Sequence, residues 1–385
     1  MSEYLPGLAG VPATKSNISD IDGEKGILTY RGYSIEELAK NSTFEETALL
    51  LLDGELPTAA ALSDFDEQLR ENRRVKFHIR GMMKNLPDSG HPMEMLQTAI
   101  SSIGMYHPGN ECLTGSDTCT DLNYVHNMTV TILAHMGTLV AMWEHIRNGY
   151  DPLPPRTDLS YAENMLFMFT GKEPDPLLAE ILDVCLILHA EHTTNASTFS
   201  VLVNASTLAS PYSVIAAAIG ALSGPLHGGA NQRVLEMLEK IGSPDKAETY
   251  VDKRLANKEV IWGMGHREYK TKDPRAKILQ KLVTRLIAAR GGDANPMLEI
   301  ATRVEQVVED RLAEKGVYPN VDFYSGILYQ EMGIPADQFT AIFAVSRAAG
   351  WLAHWREQLG DNRIFRPTQV YTGESLRGYT KIDER

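Results

Sequence analysis

The helical stretches 177–192, 195–209 and 212–222 are apolar on nearly every face, with small residues such as Ala216, Ala217, Ala218 and Gly220 among them. A helix with no polar face has to be enclosed, either by other helices or by lipid. The stretch before them, 121–147, is also mostly apolar at helical spacing, with Gly137 inside it. No apolar run is expected to reach the length of a bilayer span. The enclosing material is then protein, and these helices belong to a core or a subunit interface.

The flanking sequence reads as helix as well. Ser34-x-x-Glu37 and Ser42-x-x-Glu45 have the form of capping boxes, the second opening a helix that stops at Gly54. Pro57-Thr58 opens another, ending in Arg70, Arg73, Arg74 and Lys76, which read as a solvated helix end. Pro92 starts a helix through Ile103, and a loop to Thr120 holds Cys112 and Cys119. Pro152, Pro154 and Pro155 close the 121–147 unit ahead of a helix at 159–170. Beyond residue 231 the composition turns charged, with helices near 232–241, 246–256, 274–289 and 296–315. It turns apolar again from Phe339 to Trp355, and the tail from Asn362 is extended and polar. Only Gly26–Tyr33 reads as a strand or ribbon. The predicted class is all-α: a large helical domain from 1–229 and 332–385, with a smaller helical domain, 230–331, inserted into it.

Charge and cysteine content narrow the function. A net charge of −13 leaves no basic face for nucleic acid or an anionic membrane, although a local arginine cluster can still hold a small anion. Three cysteines supply neither a disulfide framework nor paired metal hooks. The N-terminus shows no charged-then-apolar leader, so a cytoplasmic location is expected.

Five clusters carry chemistry. Gly224-Pro225-Leu226-His227-Gly228-Gly229-Ala230-Asn231 crowds glycines around a histidine just before a helix start. The positive helix end there favours a neutral imidazole able to donate a hydrogen bond. A buried histidine in a plain interhelical turn has the same pattern. His189-Ala190-Glu191-His192 closes an apolar helix with both histidines on one face and Glu191 directed elsewhere. Metal ligation by that pair lacks a third and fourth ligand, so no metal is expected, and a substrate contact or a core histidine fits better. Gly263-Met264-Gly265-His266-Arg267 precedes Lys272-Asp273-Pro274-Arg275, and Asp322 lies among Val321, Phe323 and Tyr324, where desolvation raises its basicity. Asp322 could equally cap a helix. Arg347 in an apolar helix and Arg366 in the tail suit carboxylate or phosphate partners, or internal ion pairs.

In their order, Gly-Pro-Leu-His-Gly-Gly-Ala-Asn, Gly-His-Arg…Lys-Asp-Pro-Arg and Pro-Asn-Val-Asp-Phe-Tyr-Ser-Gly resemble the citrate synthase family. The similarity runs from Leu28-x-Tyr30-Arg31-Gly32 to Arg366-Pro367. The resemblance implies condensation of acetyl-CoA with oxaloacetate, then hydrolysis of citryl-CoA, with no cofactor and acetyl-CoA as a substrate. It implies Asp322 as base, His227 as hydrogen-bond donor to the enolate oxygen, and His266 as the group that polarises the ketone. Oxaloacetate would be held by His192, Arg275 and Arg347, with Arg366 reaching into the neighbouring site of a homodimer; larger assemblies are open. Leu226, Val260, Ile261, Gly263, Met264, Gly265 and Asn320 match the surface lining CoA, and 230–331 matches a domain that closes over the site. Glu268 stands where family members commonly carry a small or apolar residue. A 2-methylcitrate synthase using propionyl-CoA would share these residues, though Leu226 and Asp322-Phe323-Tyr324 look more like the citrate enzymes. An inactive helical binding module would be expected to lose one of His227, His266 or Asp322.

Overall fold

The computed structural model describes residues 4–106, 121–291 and 296–385. The 106–120 loop, apart from Tyr106, and with it Cys112 and Cys119, lies outside the described residues. A short antiparallel sheet comes first: β1 (Ser19–Asp22), β2 (Ile27–Tyr30) and β3 (Tyr33–Ser34), with Ser19 opposite Tyr30 and Thr29 opposite Ser34. The sequence reading found only its central strand, because β1 is four polar-rich residues without an alternating apolar face.

Sixteen α-helices follow among the described residues. In order they are α1 (Ile35–Asn41), α2 (Phe44–Asp53), α3 (Ala59–Asn72), α4 (Phe77–Met83), α5 (Pro92–Gly104), α6 (Leu122–Arg147), α7 (Tyr161–Thr170) and α8 (Pro176–His189). Then come α9 (Ala196–Ser206), α10 (Pro211–Ser223), α11 (Ala230–Ile241), α12 (Ala247–Ala256), α13 (Pro274–Ala289), α14 (Pro296–Leu312), α15 (Asp322–Glu331) and α16 (Phe339–Gly360). The class is all-α, as predicted; the sequence reading passes over α4, and suggests α15 only through the alternative of Asp322 as a cap.

Four local expectations are corrected. Ser42 does not open α2: Thr43 caps it by accepting from the Glu46 amide, while Glu45 turns inward and accepts from the Tyr161 amide at 2.8 Å. Arg73 is not solvated but 1% exposed, donating to the carbonyls of Arg156 and Leu159, so it ties α3 to the turn before α7. α8 ends at His189, so His189 and His192 do not share a helix face. And α6, at 26 residues, is long and apolar enough by composition to cross a membrane, contrary to the expectation; 89% of its apolar window is buried inside the protein.

What encloses the apolar helices is now visible. α16 is the central post: α2, α6, α8, α9 and α10 all pack on it, and Trp351, Leu352 and Trp355 are at most 1% exposed. α10 lies between α5 and α9, so its alanines and Gly220 allow close approach on both sides. α11 to α15 pack largely on one another, and α15 and α13 also meet α8. α8 therefore meets both α16 and α15, and the chemistry-bearing residues gather around its C-terminal end.

Candidate active site

His227 lies three residues before the start of α11. Its Nε2 is 3.2 Å from the backbone nitrogen of Ser197 and 2.9 Å from the Ser197 hydroxyl. A peptide N–H can only donate, so Nε2 must hold a lone pair and the ring proton must sit on Nδ1. Ser197 is held in turn by Trp351 Nε1 at 3.1 Å and by Asn195 Oδ1 at 2.8 Å. Burial, with the Arg347 charge behind it, lowers the pKa of His227 to about 4. The imidazole is neutral at physiological pH and presents one donor.

His266 is arranged in the mirror sense. Its Nδ1 accepts from the Glu268 amide at 3.0 Å and the Tyr269 amide at 3.4 Å, which leaves the proton on Nε2. Glu268, unusual beside the family pattern, thus contributes its backbone here while its side chain is exposed. Burial and the nearby Arg275 lower the pKa of His266 to about 4. Its ring packs edge-on against His192, centroids 5.0 Å apart. His192, on the turn after α8, meets the Tyr269 hydroxyl at 3.2 Å, and burial pushes its pKa well down. The His189 ring faces the other way, its Nδ1 donating to the Cys185 carbonyl at 2.7 Å. The two histidines considered as a metal pair therefore look in different directions.

Asp322 is the first residue of α15 rather than its cap; the side chain of Asn320 accepts from the Asp322 amide at 3.0 Å. Among the described residues nothing hydrogen-bonds its carboxylate. Its exposure is partial, yet protein walls it in, and burial raises its pKa to about 6; Arg275 and Arg347 oppose that rise and Asp273 adds to it. A carboxylate so placed is a stronger base than one in water.

Two arginines complete the floor, each 2% exposed. Arg275, on α13, is gripped by Asp273 through Nε at 3.0 Å and Nη2 at 2.8 Å. Burial works against its charge, but Asp273, Tyr269 and Tyr30 together raise the pKa. Arg347, on α16, donates Nε to the His189 carbonyl at 2.6 Å and stacks on Phe343 at 4.7 Å. Among the described residues no carboxylate pairs with it, and burial lowers its pKa to about 10, so it remains a cation in want of an anion. His227, Asp322 and His192 all feel Arg347, and His266, Asp322 and His192 all feel Arg275. Six predicted residues from five parts of the chain thus share one site.

The remaining predicted residues lie differently. Met264 bridges to Pro319, the Asn320 amide donates to the Gly263 carbonyl at 2.9 Å, and Asn320 Nδ2 donates to the Gly265 carbonyl at 2.9 Å. This pairing lays the 260–265 strip alongside the approach to Asp322. Gly263 has φ +77°, and a Cβ there would meet Val234 and Phe323 at 2.7 and 2.8 Å, so the strip requires glycine at that point. Ile261 is buried, whereas Val260 is 57% exposed and Leu226 fully exposed. Arg366 is not brought to this site: it sits in the exposed tail and donates to the Pro367 carbonyl. Sequence reasoning missed Tyr269 and Ser197. Tyr269 follows His266 by three residues and could have been suspected; nothing in the sequence marks Ser197.

A family model described as the citrate synthase C-terminal domain matches residues 7–368. The chain belongs to the citrate synthase family. It is 56% identical over 382 residues to a citrate synthase of Acidithiobacillus ferridurans, covering 99% of this chain and 98% of that one. It is 53% identical over 382 residues to one from Synechocystis, covering 99% and 94%. Among solved structures, citrate synthase from Pyrobaculum aerophilum superimposes with a TM-score of 0.93 at 41% identity, covering 98% of this chain and 95% of that one. The Thermoplasma acidophilum citrate synthase, solved as a ternary complex with carboxymethyl coenzyme A and oxaloacetate, gives a TM-score of 0.90 at 31% identity, with 98% of each chain covered.

Proposed function

We propose that this chain condenses acetyl-CoA with oxaloacetate and water to give citrate and CoA. The observation that carries the reading is the pair of fixed tautomers beside a basic carboxylate. His227 can donate only from Nδ1, His266 only from Nε2, and Asp322 has a carboxylate, unbonded among the described residues, that feels two buried guanidinium groups.

The difficulty is the methyl proton of a thioester, whose pKa is on the order of 20; moving it to a carboxylate near 4 in water is uphill by roughly 22 kcal/mol. Raising Asp322 to about 6 recovers roughly 3 kcal/mol of that gap. The rest has to come from stabilising the enolate oxygen as it forms, and a neutral donor of poor acidity held in place suits that task. In this account His227 Nδ1–H binds the thioester oxygen while Asp322 takes the proton. The enol carbon then attacks the ketone of oxaloacetate, whose oxygen His266 Nε2–H polarises and protonates. Water finally cleaves the citryl thioester.

Oxaloacetate carries two carboxylates, and Arg275, Arg347 and His192 offer two buried cations and a neutral donor for them. Arg366 would complete the set from the neighbouring protomer of a homodimer. The exposed Leu226 and Val260 and the 260–265 strip would receive CoA, as 230–331 closes over the site and excludes water until condensation is done. The complex formed by the Thermoplasma relative with oxaloacetate and a CoA analogue supports both substrate assignments. Thiol release should be fast with acetyl-CoA and oxaloacetate together, and absent without oxaloacetate. Faster release with propionyl-CoA would reassign the acyl substrate, and no release with either would reject the reading.

A further inference from the structure

Behind the substrate floor, α16 grips the turn after α8 at three successive residues. Arg347 Nε donates to the His189 carbonyl at 2.6 Å, the Gly350 amide donates to the Ala190 carbonyl at 3.1 Å, and His354 Nε2 meets Glu191 Oε1 at 3.1 Å. Positions 347, 350 and 354 fall on one helix face. The next residue along the turn is His192, which faces the site. Glu191 itself is fully buried. Its backbone is held at both ends by the Tyr30 hydroxyl, at 3.1 Å from its nitrogen and 2.8 Å from its oxygen. Ser19 donates to Oε1 at 3.0 Å and in turn accepts from the Thr193 amide at 3.1 Å. The second carboxylate oxygen, Oε2, is buried without a hydrogen-bond partner among the described residues and lies under Gly350, where a Cβ would come within 2.2 Å of it. A glycine at that point in a long helix is what lets the carboxylate pass beneath.

We infer that Glu191, clamped by His354 and Ser19, is a positioning residue for the dicarboxylate site: it fixes His192 and Arg347 relative to each other before substrate arrives. The inference rests on the proposed function for the identity of the ligand. Three features support it. The Glu191–His354 contact is the only one of the three rungs made by two side chains. Glu191 is the acidic group that most supports the charge of Arg347, which has no direct acidic partner of its own among the described residues. And the strand residues Ser19 and Tyr30 both hydrogen-bond Glu191, so the sheet braces the same turn.

Two effects of opposite sign make the idea testable. If Glu191 acted only as a charge, neutralising it would make the floor more positive and tighten a dianion. If it acts by position, its loss lets His192 and Arg347 drift apart and weakens the dianion. Steady-state kinetics on the full-length protein would compare wild type, Glu191→Gln, His354→Ala and His354→Gln. Oxaloacetate affinity would be read independently by calorimetry, and folding by circular dichroism. Glu191→Gln is expected to raise the oxaloacetate KM and Kd about tenfold while kcat changes less than about threefold. His354→Ala should do the same, and His354→Gln, whose amide can still donate to Glu191, should restore KM to within about threefold of wild type. A Glu191→Gln variant that binds oxaloacetate as well as or better than wild type overturns the inference. So does an equal loss in both His354 variants, which would make the histidine a packing element. Wild type inactive with oxaloacetate and acetyl-CoA would overturn the functional reading instead.

Discussion

The two halves of the candidate site are built differently. The proposed dicarboxylate floor is largely built within one chain: His192, Arg275 and Arg347 are 7%, 2% and 2% exposed, and each is held by another protein group. The proposed acyl-CoA side is open, with Leu226 fully exposed and Val260 more than half exposed, and in the tail that carries Arg366 the apolar residues Ile364, Val370, Tyr371, Leu376 and Tyr379 all stand in solvent. Rigid pre-organisation lowers the ordering cost of binding, whereas an open apolar rim gives little until something covers it. Under the proposed function the difference implies an order of events: the small dianion meets a largely ready site, and the larger thioester meets an open rim.

The sharpest way to separate the halves is at their junction. Asp322→Ala should reduce kcat by about 10³-fold or more while leaving the oxaloacetate Kd nearly unchanged by calorimetry, because Asp322 acts on the thioester and not on the dianion. Near-normal turnover would remove it as the base.

Within the floor, Arg347→Leu should raise the oxaloacetate Kd by a factor on the order of 10²–10³, the scale for truncating one member of a buried charge pair. Arg366→Ala should raise the oxaloacetate KM by about tenfold or more. A mixed dimer of Arg366→Ala and Asp322→Ala chains should regain one site with the wild-type oxaloacetate KM, measured after co-refolding the two variant chains. Lack of any recovery would confine Arg366 to its own chain.

The pH dependence follows from the junction as well. His227 and His266 are neutral above about 4, so the acid limb of kcat/KM for acetyl-CoA belongs to Asp322 and should fall as pH drops through about 6. Linkage runs the opposite way. A carboxyl whose folded pKa is raised favours the fold fully below its unfolded value near 4, and that contribution is lost as pH rises to about 6. Asp322→Asn should therefore raise Tm at pH 8 by a few degrees and leave it unchanged at pH 4, by calorimetric scans at both values. The smallest effect expected is at the open rim. Leu226→Ala should raise the acetyl-CoA KM only a few-fold, roughly 1 kcal/mol, with the oxaloacetate Kd untouched.

The sequence made the helical class legible because helices apolar on every face have few alternatives to mutual burial. The chemistry-bearing residues were legible because each sits in a stretch whose glycines, prolines or isolated charges have no reason to be there in an ordinary helix. His227, His266 and Asp322 are of this kind, and so is Arg347. What stayed hidden depends on contacts between distant segments. Arg73 looked like one more surface arginine until two carbonyls more than 80 residues away were seen to need it. Glu191 was read as pointing away from the site, which is true of its side chain and is the reason it can brace the turn from behind. Ser197 sets a histidine tautomer with a backbone N–H, and no side-chain pattern encodes that.

The most direct test of the two-halves account is calorimetric titration of the same preparation with oxaloacetate alone, acetyl-CoA alone, and carboxymethyl-CoA after saturation with oxaloacetate. The account predicts that oxaloacetate binds unaided, that acetyl-CoA alone gives little or no heat, and that the analogue binds at least tenfold tighter once oxaloacetate is present. Acetyl-CoA binding equally well to the empty and the oxaloacetate-loaded protein would contradict it.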